Sequence, residues 1–302
     1  MSMKDRWVIG TRGSKLALWQ AHAVKDALES RCGIRVEIEI ISTRGDRKLD
    51  IALHDHNLSK GLFTQELEEG LRKGTIDFAV HSLKDLPVED AEGLKLTATL
   101  PRADVRDVIL SPHPIRDLRE LSGKHVGTSS PRRVAQMERY FEEIGEESPR
   151  LSPVRGNVET RIRKMYDGEY DALVMAAAGI HRLGLENEIA LYLDLDTMLP
   201  APGQGAVAVQ CALSNREACD MASRINDEPT LSATHAERSL LQALGGGCSL
   251  PMGCCCRADG DGSLSGEAYF QPSTGKHRRV SFTLHRDYTD SDLALIAKKL
   301  QE

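Results

Sequence analysis

Strand-like and helix-like stretches alternate through the first two thirds of this chain, and that rhythm limits its fold more than any other feature. "SKLALWQAHAVKDALESRCG" has apolar residues at helical spacing and ends on a glycine stop. "RVEIEIIS" (35–42) then alternates charged and apolar residues, as a strand with one polar face does. "TQELEEGLRKG" reads as a short helix leading into the strand-like "TIDFAVHS". The pattern returns in "KHVGTSSPRRVAQMERYFEEIG" and again in "VRGNVETRIRKMYDGEYDALVMAA". Repeated strand, turn and helix predict an α/β fold with parallel or mixed sheets covered by helices on both faces.

The rhythm changes after about residue 222. "PTLSATHAERSLLQALGGGC" reads as a helix running into glycines, and "RADGDGSLSGEAYF" and "KHRRVSFTLHR" read as paired strands before a last helix near "SDLALIAKKL". This is a smaller α+β module. A chain of 302 residues is too long for one ordinary core. Boundaries are expected near residues 102 and 222.

Composition excludes some roles. Only 4% of residues are aromatic and the formal net charge is -6, so neither stacking platforms nor overall attraction to nucleic acid is expected. Three apolar residues, Trp7 to Ile9, are too few for a signal peptide, and the run from Ala172 to Ile180 is far below the ~20 residues that span a bilayer. A soluble cytoplasmic protein with no membrane contact is expected, its seven cysteines mostly free thiols. Any anion site must then come from local basic clusters.

Four stretches could carry chemistry. "TRGSKLALWQ" (11–20) leads from a short strand into a helix, so Arg12, Ser14 and backbone N–H groups could converge on an anion, or Ser14 could simply cap the helix. "VHSLKDLP" (80–87) ends an apolar strand in His81, Ser82, Lys84 and Asp85, where ligands bind in open α/β sheets. A carboxylate there can stabilise a cation, accept from N–H donors or, protonated, act as an acid. Arginines recur at similar turns: Arg132 and Arg133 in "GTSSPRR", Arg155 and Arg161 in "VRGNVETRIRK", Arg182 in "GIHRLGL". Guanidinium forks match carboxylates, so several of them suit a small molecule bearing many carboxylates.

The fourth stretch is "LGGGCSLPMGCCC" (244–256), which holds four of the seven cysteines. Zinc sites want spaced pairs, whereas Cys254, Cys255 and Cys256 are consecutive and read as strand lining. No metal site is expected. Cys248 stands alone on a glycine loop with room for an adduct, and a thiol is the best side-chain nucleophile for a carbon electrophile. An incidental loop thiol would look the same.

Taken in order, "TRGSKLALWQAH", "STRGD", "KGLFTQELE", "VHSLKDLP", "GTSSPRR", "VRGNVETR", "AAAGIHRLGL", "PAPGQGAVAVQC" and "GGCSLPMG" resemble the porphobilinogen deaminase (hydroxymethylbilane synthase) family from about Ile9 to Gly253. The resemblance implies a transferase of tetrapyrrole and haem biosynthesis; a monomer is expected because no sequence feature requires a partner. Such an enzyme joins four porphobilinogen molecules head to tail on a dipyrromethane cofactor and hydrolyses the product off as hydroxymethylbilane. It implies that the cofactor is held by a thioether to Cys248, that Asp85 is the catalytic aspartate, and that Arg12, Arg132, Arg133, Arg155, Arg161 and Arg182 bind acetate and propionate groups with help from Ser14, Ser82, Lys84, Ser129 and Ser130. It also implies two similar domains like periplasmic binding proteins: residues 1–102 with 203–222, and 103–202. A third, 223–302, would present the cysteine loop. Lys60 and Phe63 resemble a lid, although "LHDHNLS" departs from the family's more basic pattern around Asp55.

Overall fold

The computed structural model describes residues 6–43, 64–246 and 250–302. The chain first lays down β1 (Trp7–Thr11), α1 (Lys15–Cys32), β2 (Val36–Ile40), α2 (Gln65–Lys73), β3 (Phe78–Ser82) and β4 (Leu94–Thr99). It continues through β5 (Asp107–Leu110), β6 (His125–Gly127), α3 (Pro131–Ile144), β7 (Arg150–Ser152), α4 (Val158–Tyr166), β8 (Ala172–Ala176), α5 (Ala177–Arg182) and β9 (Ile189–Tyr192). Then come β10 (Val207–Ala212), α6 (Arg216–Arg224) and α7 (Glu228–Ala243), followed by the hairpins β11 (Met252–Ala258), β12 (Leu264–Phe270) and β13 (Arg278–Leu284) and a final α8 (Asp290–Gln301). Two compact units result: residues 1–102 with 206–232, and 103–205 with 233–302.

The first unit holds a five-stranded sheet ordered β2-β1-β3-β10-β4. Strands β1, β2 and β3 run parallel, and β10 lies antiparallel between β3 and β4. Every residue of β10 is buried, and its sequence VAVQCA is the near-continuous apolar run expected of a strand covered on both faces. One face packs Trp7, Ile9, Phe78 and Val209 against Ala21, Val24 and Leu28 of α1. The opposite face packs Val8 and Ala79 against Leu67 and Leu71 of α2. Strand β2 alternates VEIEI, keeping its charges at the rim.

The second unit repeats that plan. Its sheet is ordered β7-β6-β8-β5-β9, with β6, β7 and β8 parallel and β5 antiparallel between β8 and β9. Position for position, β6 matches β1, β8 matches β3, and β5 matches β10. Met137 and Phe141 of α3 cover one face, and Ile162 and Met165 of α4 the other. The mixed sheets with helices on both faces are the α/β architecture that the alternating rhythm predicts. In each sheet the antiparallel member is supplied by chain that arrives from, or departs toward, the other unit.

A three-stranded antiparallel sheet, β11-β12-β13, completes the second unit. Along β11, Cys254 and Cys256 point to one face at 0% and 4% exposure, while Cys255 points to the other. The triplet thus lines a strand. Glu237 of α7 is fully buried beside it, accepting from the backbone N–H of Cys256 and of Gly203, both at 2.7 Å. Among the described residues, no helix is long and apolar enough to cross a membrane, and no cluster of three His, Cys, Asp or Glu side chains could hold a metal ion.

Candidate active site

Parallel packing of β1 beside β3 brings the carboxyl ends of both strands to one edge, and residues from both line an open recess there. Arg12 and Ser14 come from the turn after β1, Ser82 and Asp85 from the turn after β3, and Gln20 from α1. The recess measures about 510 Å³ with its solvent mouth included. Ser14 also caps α1, its Oγ accepting from the Ala17 N–H at 3.2 Å. Ser14 therefore caps α1 and also lines the recess. Gln20 is buried and donates through Nε2 to the Ser82 Oγ at 2.8 Å, which fixes that hydroxyl at the recess wall.

Asp85 sits in a short 3-10 turn, Leu83–Asp85. The turn is pinned from below: Leu83 and Leu86 are buried against Ala206 and Ala208, and the Leu83 N–H donates to the Ala206 carbonyl at 3.1 Å. Those anchors leave Asp85 itself exposed, with Lys84 half-buried beside it. His81 also lines the recess but is 93% buried (7% exposed), and its Nε2 has no hydrogen-bond partner. Burial, together with the nearby charge of Arg12, pushes the imidazole down to about 4 against the opposing effect of the Gln210 amide. His81 is therefore neutral at physiological pH, and it adds no charge to a recess already carrying Arg12 and Asp85.

In the second unit the equivalent turns hold the remaining candidates. Ser129 donates to the Val154 carbonyl at 2.7 Å, tying the turn after β6 to the loop that carries Arg155. Arg155 is exposed, whereas Arg161 folds back so that its Nε donates to the Gly156 carbonyl at 2.8 Å. Ser130 occupies the N-cap of α3 without a capping side-chain bond, ahead of Pro131. Arg182 donates to the Gly205 carbonyl at 2.6 Å, and burial pulls its guanidinium down to about 10.

Arg132 and Arg133 do not stand open on the helix. They are 3% and 7% exposed, and both reach Asp107 at the start of β5. Arg132 Nη1 donates to Asp107 Oδ2 at 2.7 Å and to the Leu199 carbonyl at 2.7 Å. Arg133 Nη2 donates to Asp107 Oδ1 at 2.7 Å, and its Nη1 to the Val174 carbonyl at 2.8 Å. Gln204 Nε2 adds a bond to Asp107 at 2.9 Å. Burial drives the Asp107 carboxyl up, but the two guanidiniums outweigh it and hold the group well below the usual carboxylate range. Two buried cations share one carboxylate, which leaves a net positive charge beneath the Ser129–Ser130 turn, and the Nε of each arginine is unpartnered.

Removing Asp107 would strand two buried cations. Asp107→Ala is expected to cost about 3–5 kcal/mol of stability, read from the midpoint of urea unfolding. An unchanged midpoint would contradict the pairing. Because the folded value is depressed, this stabilisation is fully present above the unfolded carboxyl's range near 3.9 and is lost as pH falls toward the folded value.

Cys248, Lys60 and Phe63 lie outside the described residues. The approach to Cys248 is visible, however. Gly245 ends α7 in the left-handed region (φ 78), and Gly246 donates from its N–H to the Leu241 carbonyl at 3.0 Å, a glycine-closed helix end. A Cβ on Gly246 would lie 2.4 Å from that carbonyl oxygen. Gly246→Ala is therefore expected to lower stability by about 1–3 kcal/mol. Thermal unfolding checks this effect.

Sequence reasoning passed over Gln20, Asp107 and Gln204. Gln20 lies one helical turn and a half beyond the Ser14 cap, on the face turned to β3, which was a usable signal. Nothing in the sequence joins Asp107 to Arg132 and Arg133.

Both units are doubly wound α/β folds with basic and hydroxyl side chains at their strand ends. The family model "Porphobilinogen deaminase, dipyromethane cofactor binding domain" matches residues 7–220. Among similar curated proteins, the porphobilinogen deaminase of Syntrophomonas wolfei is 47% identical over 246 residues, 81% of this chain and 78% of its own. That of Cytophaga hutchinsonii is 40% identical over 312 aligned residues, covering 97% of this chain and 98% of the other. The chain belongs to the porphobilinogen deaminase family.

Proposed function

We propose that this chain carries out the family's reaction through the recess at the ends of β1 and β3, with Asp85 as its catalytic carboxylate. It is then a tetrapyrrole-pathway transferase that deaminates four porphobilinogen molecules, joins them head to tail and releases hydroxymethylbilane by hydrolysis. The observation that carries the reading is the convergence of Arg12, Ser14, Ser82 and Asp85 on one recess in a chain of this family. A guanidinium and two hydroxyls suit the acetate and propionate arms of the substrate, and the carboxylate suits its N–H groups.

The chemistry asks little else of the protein. As the aminomethyl C–N bond breaks, its electron pair leaves on nitrogen as ammonia, and the pyrrole nitrogen lone pair forms the new exocyclic double bond. Positive charge appears on the ring. Asp85, exposed at the recess mouth on a pinned turn, stabilises that charge and accepts the pyrrole N–H. A free pyrrole α-carbon then attacks the methylene carbon, and the proton it carried is lost.

The family's dipyrromethane, when bound, supplies the first such α-carbon. The fit of this chain to that group rests on the surplus positive charge at Asp107, Arg132 and Arg133 and on the unpartnered Nε atoms there. Arg155, Arg161, Arg182, Ser129, Ser130 and Lys84 are the further proposed contacts for its carboxylates. Cys248 is the proposed thioether anchor. The proposed division of labour follows three segments, 1–102 with 203–222, 103–202 and 223–302, acting as a cytoplasmic monomer with Lys60 and Phe63 at a lid.

The test is incubation of the purified chain with porphobilinogen, following ammonia and hydroxymethylbilane. Four ammonia released per hydroxymethylbilane supports the reading. Unconsumed porphobilinogen sinks it.

A further inference from the structure

Away from the recess, two cysteines meet where β10 passes under α6. Cys211 is fully buried in the core cluster that faces α1, and Cys219 on α6 packs against the same cluster while remaining half-exposed. Each thiol is the largest influence on the other's ionisation. The Cys219 Sγ also lies 3.5 Å from the Ala212 carbonyl, on the residue next to Cys211.

The strand geometry helps to build this pair. Between β4 and β10 the register slips: Val209 pairs with Ala98 but Gln210 pairs with Leu96. Thr97 is the extra, unpaired residue of that bulge, and a bulge re-aims the side chain it carries. The Thr97 hydroxyl donates to the Lys95 carbonyl at 3.2 Å and favours the thiolate form of both cysteines.

We propose that Cys219 and Cys211 form a built-in dithiol, in which Cys219 is oxidised by a hydroperoxide and Cys211 resolves it to an intramolecular disulfide. The Cys219 thiolate attacks the peroxide O–O bond, becoming a sulfenic acid as hydroxide or alkoxide departs. Cys211 then displaces water from that sulfenic sulfur, giving its thiol proton to the leaving oxygen. Two thiols are oxidised and one peroxide is reduced.

The surroundings favour the first step at Cys219. The neighbouring Cys211 is the largest influence lowering this thiol to about 6; Thr97 and the Lys95 ammonium add to it, while burial and the Asp220 carboxylate oppose. On the buried partner, Cys211, the neighbouring Cys219 and burial push the thiol up, with Asp77 adding to that. A reactive, accessible thiolate is thus set beside a protonated resolving thiol. Cys254 and Cys256 share one face of β11 in a similar way, but at 0% and 4% exposure an oxidant cannot reach them.

The experiment treats the full-length protein with stoichiometric hydrogen peroxide and maps its peptides without reduction. A peptide pair joined through Cys211 and Cys219, lighter by two hydrogens and restored by dithiothreitol, is expected. In Cys211→Ser, Cys219 should instead be trapped by dimedone. Brief iodoacetamide labelling of untreated protein at pH 7 should modify Cys219 at least tenfold faster than Cys32. Equal labelling rates, or oxidation that leaves Cys211 and Cys219 as thiols, would overturn the proposal. None of these readouts requires that the variant turn over substrate.

Discussion

Cys248→Ser should yield a protein whose intact mass equals its sequence mass, whereas the unaltered chain, purified without added substrate, should be heavier by one dipyrromethane. Its turnover of porphobilinogen should fall by about 10³-fold or more. The magnitude follows from two losses at once. A serine hydroxyl is a far weaker nucleophile than a thiolate toward carbon electrophiles. Without an anchored primer, chain growth also forfeits the large effective concentration that tethering supplies, about 10⁵ M in favourable cases. Mass spectrometry separates the two possible failures. An unmodified chain that is fully active removes the thioether, and an adduct on another residue moves the anchor.

The second large effect belongs to Asp85. Replacement by Ala should cut kcat by about 10²–10⁴-fold, the range for a positioned acid–base or charge-stabilising group. Because Asp85 is exposed on a turn held by Leu83 and Leu86, the same change should shift stability by less than about 0.5 kcal/mol. Asp85→Asn keeps the shape and one acceptor oxygen while discarding the charge. A severe loss in that variant assigns the effect to charge. Stopped-assay kinetics alongside urea unfolding read both quantities, and near-normal kcat in Asp85→Ala would remove this residue from the mechanism.

The elements that proved legible in the sequence were those with their own punctuation. Helix α1 begins at a capping Ser14 and ends at Gly33 in the left-handed region, and α3 begins with Pro131 and ends at Gly145. Such residues act locally, so a linear reading finds them. Strands β5, β7 and β9 are three or four residues long and are defined by their neighbours in the sheet. No local pattern announces them. The same divide runs through the site. Arg12, Ser14, Ser82 and Asp85 flank strand ends, and parallel pairing brings them together. In "PRR", by contrast, the arginines would look identical whether they faced a ligand or a carboxylate 25 and 26 residues earlier. Only the fold shows that they share Asp107.

The antiparallel strand β10 sits between β3 and β4, yet it follows β4 in sequence only after the whole of β5 to β9. On the ribosome, the first sheet must therefore wait with a gap in its middle while more than a hundred residues are synthesised. Until Val207–Ala212 emerge, the inner edges of β3 and β4 have no hydrogen-bond partner, and the floor beneath Ser82 is missing. A nascent chain paused or truncated before that point would expose two adhesive edges. The protein's vulnerability to aggregation is therefore concentrated in a defined window of its own translation.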